Sequence, residues 1–167
     1  MKKPVVFAMI LCLVIFSSVV YAQNPDRQEI ENARIDALKK IIEEKHYVFS
    51  ARSATPFSGS TKQLTYPYEL RVKKDTVDAD LPYYGRAYTA DIASTQGGIN
   101  FTTSNFEYNM KEDGKGGWDV IITPKQIRDV QKMILYISTA GYATLQVTSN
   151  TRQMITFNGQ IHDSSSK

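Results

Sequence analysis

Two hydrophobic rhythms divide this chain. Between residues 24 and 45, Ile30, Ala33, Ala37, Leu38, Ile41 and Ile42 recur at helical spacing. Glu31, Arg34, Lys39, Lys40, Glu43 and Glu44 cover the remaining surface. Asn24 suits the N-cap and Pro25 the first helical position, with Asp26 and Glu29 in the turn where the helix dipole favours carboxylates. This predicts an amphipathic helix that packs its apolar stripe on a sheet. A basic face for docking on a membrane is absent, because both signs of charge share the polar face.

After His46 the period drops from helical spacing to two. Tyr47, Phe49 and Ala51 alternate with Val48, Ser50 and Arg52. The same alternation runs through Tyr68–Lys73, Asn105–Met110 and Trp118–Thr123. Ile134–Thr139, Ala143–Thr148 and Met154–Phe157 are rich in β-branched and aromatic residues. Lys111 to Gly117 reads as a polar, glycine-rich hairpin loop. Ala140-Gly141 and Ser149-Asn150-Thr151 punctuate a C-terminal antiparallel meander. Thr55–Ser60, Ser94–Gly98 and the acidic run Asp75–Asp80 read as loops, and the tail Asp163–Lys167 as frayed. These elements predict an α+β domain. Its N-terminal amphipathic helix packs on a curved, largely antiparallel β-sheet of about eight to ten strands, barrel-like or folded as a sandwich.

The N-terminus carries a different pattern. Basic Lys2-Lys3, an unbroken apolar run from Val5 to Phe16 and small Ala22 have the form of a secretory signal peptide cut before Gln23. The run is shorter than the ~20 residues of a membrane span. The expectation is a cleaved leader at 1–22 and one β-rich domain at 23–167, exported to the periplasm or outside the cell and not membrane-spanning afterwards. Lys2 and Lys3 leave with the leader, so 18 of the 20 basic residues remain against 17 acidic ones. A net charge of +1 predicts no nucleic-acid partner. The single cysteine, Cys12, lies in the leader. The mature domain therefore has no disulfide, thiolate metal site or cysteine nucleophile.

Candidate chemistry is sparse. His46 and His162 are the only histidines and are distant in sequence, which predicts no zinc site. No nucleophile elbow, phosphate-cradling loop or histidine-pair metal motif is present, so no catalytic residue and no cofactor are nominated. Asp78 and Asp80 lack the glycine and distal glutamate of a calcium loop. The densest signal is Asp80-Leu81-Pro82-Tyr83-Tyr84-Gly85-Arg86-Ala87-Tyr88. Tyr83, Tyr84 and Tyr88 can stack on a planar ligand or sugar ring while Arg86 pairs an anion, with Trp118 as a further aromatic. The structural alternative is tyrosines half-buried in a sheet and an arginine bracing a loop. Asn100-Phe101-Thr102 matches the N-glycosylation pattern.

Leu81 to Tyr88, Gly98-Ile99-Asn100-Phe101, Gly141 to Leu145 and Asn150 to Gly159 together resemble domain of unknown function 4251, a family of exported proteins found mainly in Bacteroidetes. The resemblance covers most of residues 27–161. It implies a single exported domain and no activity, so it transfers no role to any residue. In that setting Asp75-Thr76-Val77 is similar to an O-glycosylation motif that would place a glycan on Thr76. The functional expectation is a non-enzymatic envelope module that binds a small molecule or glycan. The alternatives are a structural or assembly partner of another envelope protein and, less favoured, a hydrolase.

Overall fold

A computed structural model describes residues 25–88 and 97–165. The leader, Cys12, Asn24 and most of the loop at 94–98 lie outside the described residues. The chain divides into a unit that ends at Asp36 and a larger unit, Ala37–Lys167, that holds the sheet. Among the described residues, no helix is long and apolar enough to cross a membrane.

Helix α1 spans Pro25–Glu43. Within the larger unit, the stripe of its last turns reaches complete burial at Ile42. The helix ends in a paired cap. His46 N–H donates to the Ile41 carbonyl at 2.8 Å and Lys45 N–H to that of Ile42 at 3.2 Å. Lys45 takes the left-handed conformation there, φ 55°, where glycine is the usual residue. Its ammonium lies 5.1 Å from the Tyr108 ring centroid and 5.7 Å from that of Phe106, a cation–π attraction that offsets the backbone cost.

The strands are β1 (Tyr47–Pro56), β2 (Lys62–Lys73), β3 (Thr76–Leu81), β4 (Ile99–Thr103), β5 (Phe106–Glu112), β6 (Trp118–Pro124), β7 (Val130–Ile137), β8 (Tyr142–Ser149) and β9 (Ile155–Asp163). They form one nine-stranded antiparallel sheet in the order β4-β3-β2-β1-β9-β8-β7-β6-β5. Of the two shapes left open by the sequence, the structure takes the barrel-like one, nearly closed.

Closure follows from connectivity. β4 and β5 are the two outer strands of that order, yet only Ser104 and Asn105 separate them in the chain. Such a link spans ~11 Å at most, so the sheet curls until its two outer strands lie end to end and the barrel is nearly closed. Following the antiparallel pairings round the sheet, β4 and β5 run in the same direction. They are two halves of one bent rail, the first paired with β3 and the second with β6. Merging them turns the nine strands into eight rails that alternate in direction all the way round. At that number a barrel interior is about wide enough for side chains to fill it.

Alternation fills it. Leu70, Val72, Val77, Leu81, Val120, Ile122, Met133, Leu135, Leu145 and Phe157 are all fully buried. On β1 the inward set is Tyr47, Phe49 and Ala51. A bulge between Ala51 and Ser53 then inverts the parity, and Ala54 and Pro56 take over. Gly159 sits opposite Ala51, where a Cβ would collide with the Ser50 carbonyl and come within 3.0 Å of the Phe49 ring. Phe49 fills the space that this glycine leaves.

Four expectations are corrected. The acidic run Asp75–Asp80 is mostly strand β3, with Val77, Ala79 and Leu81 inward and Asp78 outward, 3.0 Å from the Arg71 guanidinium. Alternation outweighs the turn preference of aspartate here. Thr55 and Pro56 extend β1. β2 begins at Lys62, with Leu64–Pro67 out of register with β1 around a proline that lacks an N–H. The tail is ordered through Asp163, so His162 belongs to β9, paired with Val48.

The end of α1 lies along β5, the second half of the bent rail. Tyr108 donates its hydroxyl to the Ile42 carbonyl at 2.8 Å, and Lys39 reaches Glu112 at 2.9 Å. The Tyr108 hydroxyl also lies 3.5 Å from that of the fully buried Tyr47. Burial pushes the Tyr108 hydroxyl up to about 12 and Tyr47 well above its usual value of 10.0. A folded value above the unfolded one means stability is intact below pH ~10 and falls as pH rises toward 12. Urea midpoints measured between pH 8 and 12 are expected to show this fall. Tyr108→Phe should be less stable at pH 8 by ~1 kcal/mol, the usual value of one hydrogen bond, with a shallower alkaline decline.

Candidate functional site

The tyrosine–arginine block Pro82–Tyr88 forms a braced loop at the barrel end where β3 finishes and β9 begins. The Tyr83 ring folds back so that its single hydroxyl hydrogen is shared between the carbonyls of Arg86 and Gln153, each at 2.9 Å. Gly85 lies beneath that hydroxyl, where any Cβ would collide with it. This explains the spacing of the tyrosine and the glycine. Burial raises the Tyr83 hydroxyl above its usual value, although the Arg152 guanidinium pulls it down.

Arg152 is the residue that organises this end, and sequence reasoning did not nominate it. Its side chain is 10% exposed and pairs with Asp129 at 3.3 Å. It also donates to the Gly98 carbonyl at 3.1 Å and lies over the Tyr83 ring, 5.2 Å from the centroid. Thr151 donates to the other Asp129 oxygen at 3.0 Å. One guanidinium thus ties together loops around residues 83, 98, 129 and 152.

The nominated residues fall in different environments. Arg86 is exposed, and it joins the brace through its main chain: its carbonyl also accepts from Gln153 N–H at 3.0 Å. Tyr84 is 40% exposed, with the Lys62 ammonium 5.1 Å from its ring centroid, and Tyr88 is 68% exposed. Trp118 is 2% exposed, on β6 between Glu112 and Ile137. It belongs to the barrel interior and does not share a face with Tyr84 and Tyr88. Thr76 opens β3 opposite Lys73 and is half-buried. Among the described residues, no three histidine, aspartate or glutamate side chains are grouped to hold a metal ion.

A second arrangement lies on the outer face of β7–β9. Asp119, Tyr136, Thr144 and Asn158 are successive cross-strand partners in one lateral row. Tyr142 stands at the start of β8, and the β5–β6 loop brings Asp113 alongside. Together they line a groove of about 380 Å³, floored partly by Ala143 and Gly159. Tyr136 and Tyr142 are 45% and 61% exposed. Thr144 donates to the Asn158 side-chain oxygen at 3.0 Å. Asp113 Oδ1 accepts the main-chain N–H groups of Lys115 and Gly117 at 2.7 and 2.9 Å, which holds the hairpin loop in shape. Asp119 pairs with Lys111 at 3.3 Å. The groove offers two aromatic faces beside carboxylate, hydroxyl and amide groups, a surface that can take a ligand with both apolar and hydroxyl faces. An outward tyrosine on a strand has no distinctive sequence signal. Only the register of three strands brings these residues together.

Fold and sites define a small antiparallel β-barrel domain with an N-terminal helix. The chain belongs to the family described as Domain of unknown function (DUF4251), whose profile matches residues 29–161. A crystal structure of a DUF4251 family protein from Bacteroides eggerthii is similar, with a TM-score of 0.57 and 14% identity over 78% of this chain and 88% of that one. At that identity the likeness shows a shared fold. No functionally curated protein matches the chain.

The brace at Arg152 has a measurable consequence. Arg152→Ala removes the partner of Asp129 Oδ2 and of the Gly98 carbonyl at a half-buried site. The expected loss is about 2 kcal/mol, in the range for hydrogen bonds to a charged group, read as a lower urea midpoint with unchanged slope. Arg86→Ala, which removes only an exposed side chain, should stay within ~0.5 kcal/mol of wild type.

Proposed function

We propose that this domain is a non-enzymatic module of the cell envelope that binds a carbohydrate in the groove between Tyr136 and Tyr142. The observation that carries the reading is the pair of exposed tyrosines flanking a groove whose other groups are hydrogen-bonding. A pyranose ring has C–H faces that pack on aromatic rings and equatorial hydroxyls that need donors and acceptors at the edge. The leader at 1–22, with its basic start, apolar core and small Ala22, supports export. The non-enzymatic reading is supported by the groove carboxylates, each of which commits one oxygen to a structural partner: Asp113 shapes its loop and Asp119 holds Lys111.

The test is calorimetric titration of the purified chain with a panel of oligosaccharides. A saturable signal is expected. Tyr142→Ala should weaken it about tenfold, as for an aromatic anchor costing about 1.4 kcal/mol. Its melting temperature should stay unchanged, because the ring is exposed. A panel without signal, or binding indifferent to both Tyr136→Ala and Tyr142→Ala, would overturn the assignment.

A second reading rests on Phe57, Tyr66, Tyr84 and Tyr88, which are 40–70% exposed and lie on elements around the other barrel end. Exposed aromatics of this number suit an envelope protein partner. Under that reading, a complex isolated with the full chain is lost on Phe57→Ala with Tyr88→Ala and kept on Tyr142→Ala.

A further inference from the structure

The charged groups among the described lining residues of the groove are both acidic: Asp113 and Asp119. Asp113 spends Oδ1 on two main-chain N–H groups, which leaves Oδ2 as an acceptor. Asp119 gives Oδ2 to Lys111 and keeps Oδ1. Lys111 holds its ammonium 3.3 Å from Oδ2 and partly neutralises Asp119, its own side chain 67% exposed. On the floor, Thr144 donates into the Asn158 carbonyl oxygen, which leaves the Asn158 Nδ2 hydrogens as donors. The polar edge is therefore rich in acceptors, and Asp113, whose carboxylate has only main-chain N–H partners among the described residues, keeps it negative beside the Asp119–Lys111 pair. Hydroxyl and ammonium groups would meet acceptors there. A ligand carboxylate, sulfate or phosphate would meet carboxylates.

Resting on the carbohydrate reading of this groove, we infer that the site selects neutral and amino sugars and excludes acidic ones. Asp113 and Asp119 are the specificity-determining residues, and the two tyrosines supply affinity without regard to charge. The division follows from chemistry: a ring face packs alike on glucose, glucosamine and glucuronate, whereas a carboxylate at the sugar edge is repelled by a second carboxylate nearby.

The experiment holds the sugar ring constant and varies its charge. The full chain is titrated with β-1,4-linked hexamers of glucose, glucosamine and glucuronic acid at pH 7 and 50 mM salt. The glucose and glucosamine hexamers should bind, and the glucuronate hexamer at least about tenfold more weakly, as expected for unscreened like charges at close range. In the double variant Asp113→Asn with Asp119→Asn the glucuronate hexamer should approach the glucose hexamer to within about threefold, because the repelling charges are gone. Asparagine keeps the oxygen that accepts from Lys115 and Gly117, and the lost Lys111 pair is exposed and contributes little. These variants are therefore expected to fold. Salt at 0.5 M should narrow the wild-type gap without any substitution, giving a second readout.

Glucuronate binding equal to glucose, or a gap unmoved by both the double variant and salt, would overturn the selectivity while leaving the carbohydrate site standing. Absence of binding by all three hexamers would remove both.

Discussion

The fold depends on a two-residue link. Ser104 and Asn105 join strands at opposite edges of the sheet order, and a link that short leaves a flat or two-layered arrangement out of reach. Near closure brings together the two edges that an open nine-stranded sheet would hold far apart. It also sets which side of each strand is dry. Once the ring closes, inward positions have no solvent to escape to, and they are Leu, Val, Ile, Met, Phe and Ala with few exceptions. The bend has a cost in hydrogen bonding, since each half of the rail pairs along its length on one side only, β4 with β3 and β5 with β6. The end of α1 lies beside the second half, where Tyr108, Lys45 and Lys39 attach the helix terminus to β5 or its neighbours.

Irregularities are placed where the barrel needs them. The bulge after Ala51 changes which face of β1 is buried, and the unpaired stretch around Pro67 frees β2 at the same level. The barrel end beyond them is held by Arg152, a largely buried cation with a carboxylate, a carbonyl and an aromatic ring around it. A buried guanidinium is tolerated because its donors find acceptors in a fixed geometry. The loops at this end are thereby positioned by one side chain. In the tyrosine–glycine–arginine block, the Tyr83 hydroxyl and the Arg86 carbonyl belong to this brace, while Tyr84 and Tyr88 stay exposed.

How far the sequence could be read varied with the residue. Phe106–Glu112 and Trp118–Pro124 alternate cleanly, and their hairpin was evident from the glycine-rich loop between them. The helix was evident from spacing, but how much of its stripe is buried was not, because a stripe does not reveal what covers it. Strand β3 was hidden by its aspartates, although Val77, Ala79 and Leu81 kept the period. Trp118 and Arg86 looked alike as site candidates. Trp118 points into the core by its parity on β6, whereas Arg86 stands on a loop that leaves its side chain in solvent.

The sequence by itself determined the period of each segment, and so the helix and most strands. Those properties are local, set by side-chain spacing over a few residues. The tertiary structure decided closure, the role of Arg152 and the groove between Tyr136 and Tyr142. Each of these depends on register between strands far apart in the chain. A one-residue slip in any of them would turn the same side chains to the opposite face.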